Sequence, residues 1–394
     1  MHPSPFQRTP LAAGPAFADR TVELARLEHA FSSPGSALVL YGPRRMGKSA
    51  LLHEAARRVA GRRHRVAIVD LATAVDAPDA VRRLLEAVRG AVGHTWQSVL
   101  HAVANKLQLA LTITPNPDGT GLPGITLGLD ARTAPRPGLF TDALAAVDAE
   151  LARRKLHLAL GLDEFQRLLS WGGTDVEWAL KASLEHSRRI AWVMSGSATT
   201  LIEAMVTNRD RALWKLADHL RLGPVPVDEF AAWIAARAPR GPGHIPLTVA
   251  HDIVRLAGPR TRDILLLAHA TWRMAYLYRS PAEAMAAMDD LVRETSAPYE
   301  QGWQQLSQRE QRILRLLAVH ADVPLTAELT RSAHALGAAS SIGVALTGLR
   351  KKGILAEERG QPRFDDPFFR RWVERATSGD IDASPPPVRR RNTG

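Results

Sequence analysis

Apolar residues recur along this chain in two rhythms, and the alternation between them predicts a layered α/β fold. Short, nearly unbroken runs predict buried strands at Ala37–Tyr41, Arg65–Leu71, Leu156–Asp163, Ile190–Gly196 and Asp218–Pro224. Between them the spacing lengthens to three and four residues. Leu24, Leu27 and Phe31 share one face of a helix that Asp19 or Thr21 is placed to cap. Leu51, Leu52, Ala55, Ala56 and Val59 share the face of a second, and Leu144, Val147 and Leu151 that of another. Helical spacing also covers Asp76–Val92 and Thr95–Lys106. Five strands alternating with helices imply right-handed crossovers and a doubly wound parallel sheet. One segment breaks the rhythm: Gln108–Asp130 has two β-rich arms around a Pro/Gly/Asn/Asp turn and reads as a hairpin insertion.

Beyond Pro224 the pattern is helical. The stretches EFAAWIAARA, LTVAHDIVRLAG and RTRDILLLAHATWRMAYLYR predict a small helical lid with APRGPGHIP as its internal loop. Pro224 and Pro226 argue against a central strand at VPVDEF, so Asp228 is expected to be the helix N-cap. Ser307 opens a third unit through the capping box SQRE, with Ile313, Leu314, Leu316 and Leu317 on the core side. Helices over Thr326–Leu336 and Ser340–Lys352, the latter closed by Gly353, lead into the hairpin ILAEERGQPRFDD and a last helix, DPFFRRWVERA. Three helices and a β-wing make a winged helix. The expected division is a disordered tail over 1–16, an α/β core over 17–223 with its hairpin at about 107–130, a lid over 224–300, a winged helix over 304–376 and a disordered basic tail over 377–394.

Composition narrows the setting. A length of 394 residues suits two or three domains, and the absence of cysteine excludes disulfides, thiolate zinc sites and cysteine nucleophiles. No apolar run approaches the roughly 18 residues of a membrane span, and the N-terminus lacks a signal-peptide pattern, so a cytoplasmic protein is expected. The net charge of +11 invites a polyanion partner. It is carried largely by arginine in a chain rich in Ala, Gly and Pro, which coding bias also produces.

Chemistry concentrates at two strand ends. The run ending at Tyr41 empties into Gly42-Pro43-Arg44-Arg45-Met46-Gly47-Lys48-Ser49-Ala50, a G-x-x-x-x-G-K-S phosphate cradle opening a helix. Lys48 is expected to reach the β- and γ-phosphates of ATP, and Ser49 to ligate Mg²⁺. The run ending at Asp163-Glu164 has the form of a Walker B strand, with Asp163 in the Mg²⁺ shell and Glu164 polarising the attacking water. A glutamate beside that aspartate predicts that strand Ile190–Gly196 lies between the two. Ser195 and Ser197, at its end, are candidates to sense the γ-phosphate or orient water; Ser197 is equally placed to cap the next helix. Arg260 and Arg262 follow Gly258-Pro259 at a helix start and either reach the nucleotide or are solvated. Arg209 and Arg211 are placed to act as arginine fingers in trans, or are plain loop residues.

Taken together, FADRTVELARLEHAF, YGPRRMGKSALL, LGLDEFQRL, WVMSGSATTLIEAM and RFDDPFFRRWV resemble the archaeal-type P-loop ATPases, relatives of the STAND signalling NTPases and of the Orc/Cdc6 branch of AAA+. The resemblance implies ATP or ADP as ligand, a helical lid, a C-terminal winged helix and Gln166 near the γ-phosphate. Two departures stand out. Where such proteins carry L-Y-G-R this chain reads ALWKLADHLRL, leaving Lys215 as a stand-in, and the lid motif G-G-x-P is reduced to AGPRTRD.

The winged helix offers Arg350, Lys351 and Lys352 at the end of its third helix, and Arg359 and Arg363 on the wing. These suit phosphates. Ser340, Ser341 and Gly343 at the helix start make no bidentate base contact. Double-stranded DNA bound with weak sequence preference and steep salt dependence is one expectation, and a protein-docking module is the other. The functional readings are accordingly a DNA-associated Mg²⁺-dependent ATPase and a STAND-like switch whose winged helix docks protein.

Overall fold

The computed structural model describes residues 4–6, 17, 20–61, 64–92, 109–114, 124–129, 138–238, 240–279, 281–358 and 360–376. Asp19, the helix expected over Thr95–Lys106, the tip of the hairpin, Arg359 and the basic tail lie outside them. The chain forms two compact units: residues 7–225 with 260–262, and residues 1–6 with 226–259 and 263–394.

In the first unit five parallel strands, β1 (Ala37–Tyr41), β2 (Arg65–Asp70), β5 (Leu158–Asp163), β6 (Ile190–Gly196) and β7 (Asp218–Arg221), lie in the order β2-β5-β6-β1-β7. Strand β6 separates β1 from β5, as the Asp163-Glu164 pair led one to expect. The period of two along each strand divides the sheet's side chains between two cores. Val39, Ala67, Leu160, Leu162, Trp192 and Met194 face helices Ala77–Val92, Leu139–Arg153 and Gly173–His186. Leu38, Leu40, Ala159 and Val193 face Leu24, Leu27 and Phe31 of helix Thr21–Ser32 and Leu51, Leu52 and Ala55 of helix Lys48–Val59. Helices on both faces are what a doubly wound sheet requires, since strands β5 and β6 are buried along their whole length. Strands β3 (Leu109–Thr114) and β4 (Gly124–Leu129) pair antiparallel as the expected hairpin.

The local ends differ from expectation in several places. Helix Thr21–Ser32 starts from Arg20 without a side-chain cap. Asp228 is not a cap: Pro226 precedes helix Val227–Arg237, and Asp228 lies exposed in its first turn, 3.6 Å from His251. Trp272 is buried and Trp178 half exposed. The N-terminal segment also departs from a free tail, because Phe6 is buried against Trp233 and Ser4 bonds His269 at 2.8 Å within the second unit.

That second unit begins with helices Val227–Arg237, Leu247–Ala257, the body of Thr261–Tyr278, Ala284–Glu294 and Ser296–Gln304. Then comes the winged helix: Gln308–Val319, Glu328–Ala333, Ala339–Lys351, the two-stranded wing β8 (Leu355–Glu358) and β9 (Gln361–Phe364), and helix Pro367–Ala376. The capping box at Ser307 is present with both of its hydrogen bonds. Gly353 takes the left-handed turn, φ +70°, that ends the third helix. Ile313, Leu314, Leu317, Ile342, Leu349 and Phe369 close the core. Arg371 joins the last helix to Asp289 of Ala284–Glu294 through two hydrogen bonds, at 2.7 and 3.2 Å.

Candidate functional site

The parallel strands end at a common edge, where open α/β sheets bind ligands, and the candidate residues occupy the turns that leave it. From Tyr41 the chain enters the loop Gly42–Gly47. Gly42 has φ +156°, and a Cβ there would stand 2.8 Å from the carbonyl oxygen of Leu222, just past β7. The loop therefore passes the neighbouring backbone only as glycine. Gly47, φ +89°, turns the chain into helix Lys48–Val59 and accepts the amide of Leu51 at 2.9 Å. Pro43, Arg44 and Arg45 are exposed, Met46 is buried beneath them, and Ser49 and Ala50 are half-buried in the first helical turn.

Lys48 is buried and donates to the carbonyls of Gly42, at 2.9 Å, and Pro43, at 2.7 Å. Burial lowers its pKa to about 8; Glu164 and Asp163 oppose that shift, and Arg44 adds to it. An anion placed beside it would favour the charged ammonium and raise that pKa again.

Strands β5 and β6 bring the acidic residues in beside it. Asp163 is buried, and its Oδ1 accepts the hydroxyl of Ser195 and, at 3.1 Å, the amide of Glu164. Glu164 receives at its Oε2 the hydroxyl of Ser197 at 2.9 Å, the amide of Ser197 at 3.3 Å and the side-chain amide of Gln166. The two serines are thus divided: Ser195 serves Asp163 and Ser197 serves Glu164. Ser197 is not the cap of helix Thr199–Thr207, which starts from Ala198.

The donor set fits a hard divalent cation. It offers the Asp163 carboxylate and the Ser49 hydroxyl, oxygen ligands of the kind Mg²⁺ accepts alongside phosphate and water. Among the described residues no cluster of three or more His, Cys, Asp or Glu side chains forms a self-sufficient metal cage.

Thr261 and Arg262 touch the loop, where sequence reading had Arg260 and Arg262 either reaching the nucleotide or solvated. The Thr261 hydroxyl donates to the Met46 carbonyl at 3.2 Å, and the Arg262 amide to the Arg45 carbonyl at 3.3 Å. Arg260 beside them is buried. The helix start after Gly258-Pro259 marked the place, but nothing in the sequence said that backbone and hydroxyl make the contact.

Other candidates are placed elsewhere. Lys215 does not replace the missing arginine: with Trp214 and Asp218 it lines a cavity of about 700 Å³ beside Gly35, Ser36 and Ala37, at the amino ends of β1 and β7. Its ammonium sits 4.6 Å over the Trp214 ring. Arg211 is not a free finger, because it pairs with Glu177, a buried carboxylate that also accepts the Ala212 amide. Arg209 is exposed, 6.0 Å over Trp214. In the winged helix Arg350 pairs with Glu357 at 3.1 Å, Lys352 with Glu310 at 2.8 Å, and Arg363 with Asp322, whereas Lys351 is exposed.

A family model described as an ATPase domain predominantly from Archaea matches residues 17–223, and one described as a probable winged helix domain matches residues 297–375. No curated protein sequence matches the chain. Among solved structures, a Walker-type ATPase of Pyrococcus abyssi is similar at 18% identity and TM-score 0.58, over 94% of this chain and 99% of that one. The ORC2 protein of Aeropyrum pernix, in ADPNP–ADP complexes, is similar at 16% identity and TM-score 0.56, over 95% and 97%. The ORC1 protein of the same organism, in complex with DNA, is similar at 17% identity and TM-score 0.50, over 96% of each chain. At these identities the likeness is one of fold. Among the described residues no helix is long and apolar enough to cross a membrane.

Proposed function

The chain belongs to the family of ATPase domains found predominantly in Archaea, an ATP-binding P-loop hydrolase with a C-terminal winged helix, and from that premise we propose that it is a Mg²⁺-dependent ATPase whose winged helix works on duplex DNA. The observation that carries the site assignment is the meeting, from two strand ends, of the buried Lys48 and Asp163 with the half-buried Glu164, whose charges act on one another. The loop 42–50 takes the phosphates, with its backbone amides and the helix N-terminus favouring the anion. Lys48 exchanges its two loop carbonyls for β- and γ-phosphate oxygens. Ser49 and Asp163, the latter held by Ser195, carry Mg²⁺, which when bound neutralises charge on the phosphates. Glu164 accepts a proton from the attacking water, which adds to the γ-phosphorus as the bond to the β–γ bridging oxygen breaks, leaving ADP and phosphate. ADPNP and ADP bound to the Aeropyrum ORC2 protein support nucleotide as the ligand.

The DNA reading is supported by the net charge of +11 and by the DNA complex of the Aeropyrum ORC1 protein. Within the winged helix, Arg350 and Arg363 pair with carboxylates that are themselves more than half exposed. Such surface pairs are worth little and yield to phosphates. Helix Ala339–Lys351 exposes Ser340, Gly343, Val344 and Thr347, none of which reads a base edge bidentately, so sequence preference is expected to be weak. The division we propose is core 17–223, lid 224–300 and winged helix 304–376.

The second reading is a STAND-like switch whose winged helix docks protein, and Val344 favours it, being 74% exposed on the face that would enter a groove. Hydrolysis measured with and without duplex DNA, at low and raised salt, separates the two. Stimulation that collapses with salt supports DNA. Tightly retained nucleotide with negligible turnover, indifferent to DNA, supports the switch. Glu164→Gln is expected to bind ATP without turning it over; a Lys48→Ala protein that bound ATP like the wild type would overturn the site itself.

A further inference from the structure

We infer that Ser197 and Gln166 are positioning residues for Glu164, holding its Oε2 so that Oε1 is the oxygen presented to water. The inference rests on Glu164 being the general base, and it assigns what aims that base.

Glu164 has φ +54° and ψ 40°, a left-handed conformation that residues with a Cβ adopt at a cost. The turn that follows, Phe165–Trp171, is a 3₁₀ helix, and it brings Gln166 back onto the Glu164 carboxylate two residues earlier. Ser197, leaving the end of β6, approaches with its hydroxyl and its amide. All three donors meet Oε2. Oε1 receives no hydrogen bond from the described residues.

Gln166 has its own requirements. Its Oε1 is buried and unpartnered. Turning the amide over would set that oxygen against the Glu164 carboxylate, two acceptors in contact, so Nε2 belongs on Glu164. A Cβ on Gly196 would meet Gln166 Oε1 and the tip of Ile202, so glycine there leaves the glutamine amide its present place. Folds rarely carry an orphaned buried acceptor, and here it adjoins a left-handed glutamate. The two unfavourable features have one result in common: a carboxylate fixed through a single oxygen. The sequence made Ser197 a candidate γ-phosphate sensor and the resemblance put Gln166 near that phosphate, but in the structure the donors of both are spent on Glu164, so losing either is expected to slow the chemical step without weakening nucleotide binding.

Single-turnover and steady-state phosphate release, with ATP affinity measured separately, tests this on Ser197→Ala, Ser197→Thr and the near-isosteric Gln166→Met. Ser197→Ala and Gln166→Met are each expected to lower kcat by roughly tenfold, while KM and ATP affinity stay within about twofold. Ser197→Thr, which keeps the hydroxyl, is expected to restore turnover. In a Glu164→Gln background, neither substitution is expected to lower the residual rate further, because no base remains to be aimed. Unchanged kcat in both variants, or the same tenfold loss in the Glu164→Gln background, overturns the inference alone. Wild-type turnover in Glu164→Gln overturns the assignment of the base and this inference with it.

Discussion

Nucleotide binding is expected to take up a proton at Lys48. In the nucleotide-free protein burial holds its ammonium at a pKa of about 8, against an ordinary value of 10.5, with Glu164 and Asp163 opposing the shift. A triphosphate in the cradle adds several negative charges within contact and draws the pKa back upward. If the bound value lies above the range measured, uptake is roughly half a proton per nucleotide at pH 8 and about nine-tenths at pH 9, and affinity falls about tenfold between pH 7 and pH 9. The triphosphate contributes little above pH 8, since its last ionisation lies near 6 to 7. Stability of the nucleotide-free protein follows the same proton. Between about pH 8 and 10.5 the unfolded chain binds it and the folded chain does not, so stability rises with pH across that window, by at most about 3 kcal/mol. Titration calorimetry in two buffers of different ionisation enthalpy reads the uptake directly. Lys48→Arg, charged at every pH in the range, is expected to abolish it in whatever binding survives. No uptake at pH 8.5 in the wild type, or equal uptake in Lys48→Arg, would refute the reasoning.

Three further outcomes are expected. Gly42→Ala forces a Cβ against the Leu222 carbonyl at an unfavourable φ and is expected to weaken nucleotide binding by at least roughly tenfold, read by titration with a fluorescent nucleotide. Glu177→Ala removes the buried partner of Arg211 and of the Ala212 amide, and is expected to cost about 3 kcal/mol in denaturant unfolding; a cost below about 1 kcal/mol would return Arg211 to the pool of free loop arginines. Asp289 is held below the ordinary carboxylate range by its hydrogen bonds from Arg371, so that tie contributes fully above the unfolded value, near 4, and is lost as pH falls through the lower folded value. Asp289→Asn is expected to flatten that acid limb in a pH series of thermal unfolding.

Sequence reading reached the sheet and its order because both follow from short-range pattern: buried parallel strands are continuous apolar runs, and a glutamate beside the Walker B aspartate marks the extra strand. The candidate cradle was legible for the same reason, since Gly42, Gly47, Lys48 and Ser49 lie within one eight-residue stretch that runs from β1 into the next helix. What it misjudged depends on contacts distant in sequence. Lys215 was proposed from its place in a motif, yet β7 begins beyond it, so the lysine stays at the amino edge of the sheet. Arg211 was indistinguishable from Arg209 until Glu177, 34 residues earlier, was seen to claim it. Ser197 was as good a cap as a sensor by composition. Only the pairing of β5 with β6, which sets Glu164 and Ser197, 33 residues apart, side by side, shows that its hydroxyl goes to Glu164 rather than to a cap.

Several features that break local rules gather at the carboxyl edge of the parallel sheet, beside the candidate chemistry. Ala37–Tyr41, Leu158–Asp163 and Ile190–Gly196 are largely buried as they run through the sheet, and the end of each meets a feature that costs stability: a glycine loop and a desolvated lysine after β1, a left-handed glutamate after β5, and, after β6, a serine committed to that glutamate. Left-handed residues also occur away from this edge, at Lys155 and Lys215 before β5 and β7 and at Arg279 and Ala335, but at the carboxyl edge such a residue, Glu164, adjoins the buried Asp163 and the buried Lys48 whose charge it offsets. The amino ends of β1 and β7 instead border a cavity in which Lys215 rests on Trp214, where no buried charge is stranded. A scaffold made rigid by two cores can hold such features because burial on both faces over-determines the backbone just before each turn. Substitutions that relieve the strain, such as replacing Glu164 by glycine, are therefore expected to raise the unfolding temperature while abolishing turnover. If that substitution lowered both, Glu164 would have to be reread as a residue of the fold, and the carboxylate that accepts the proton would have to be sought elsewhere.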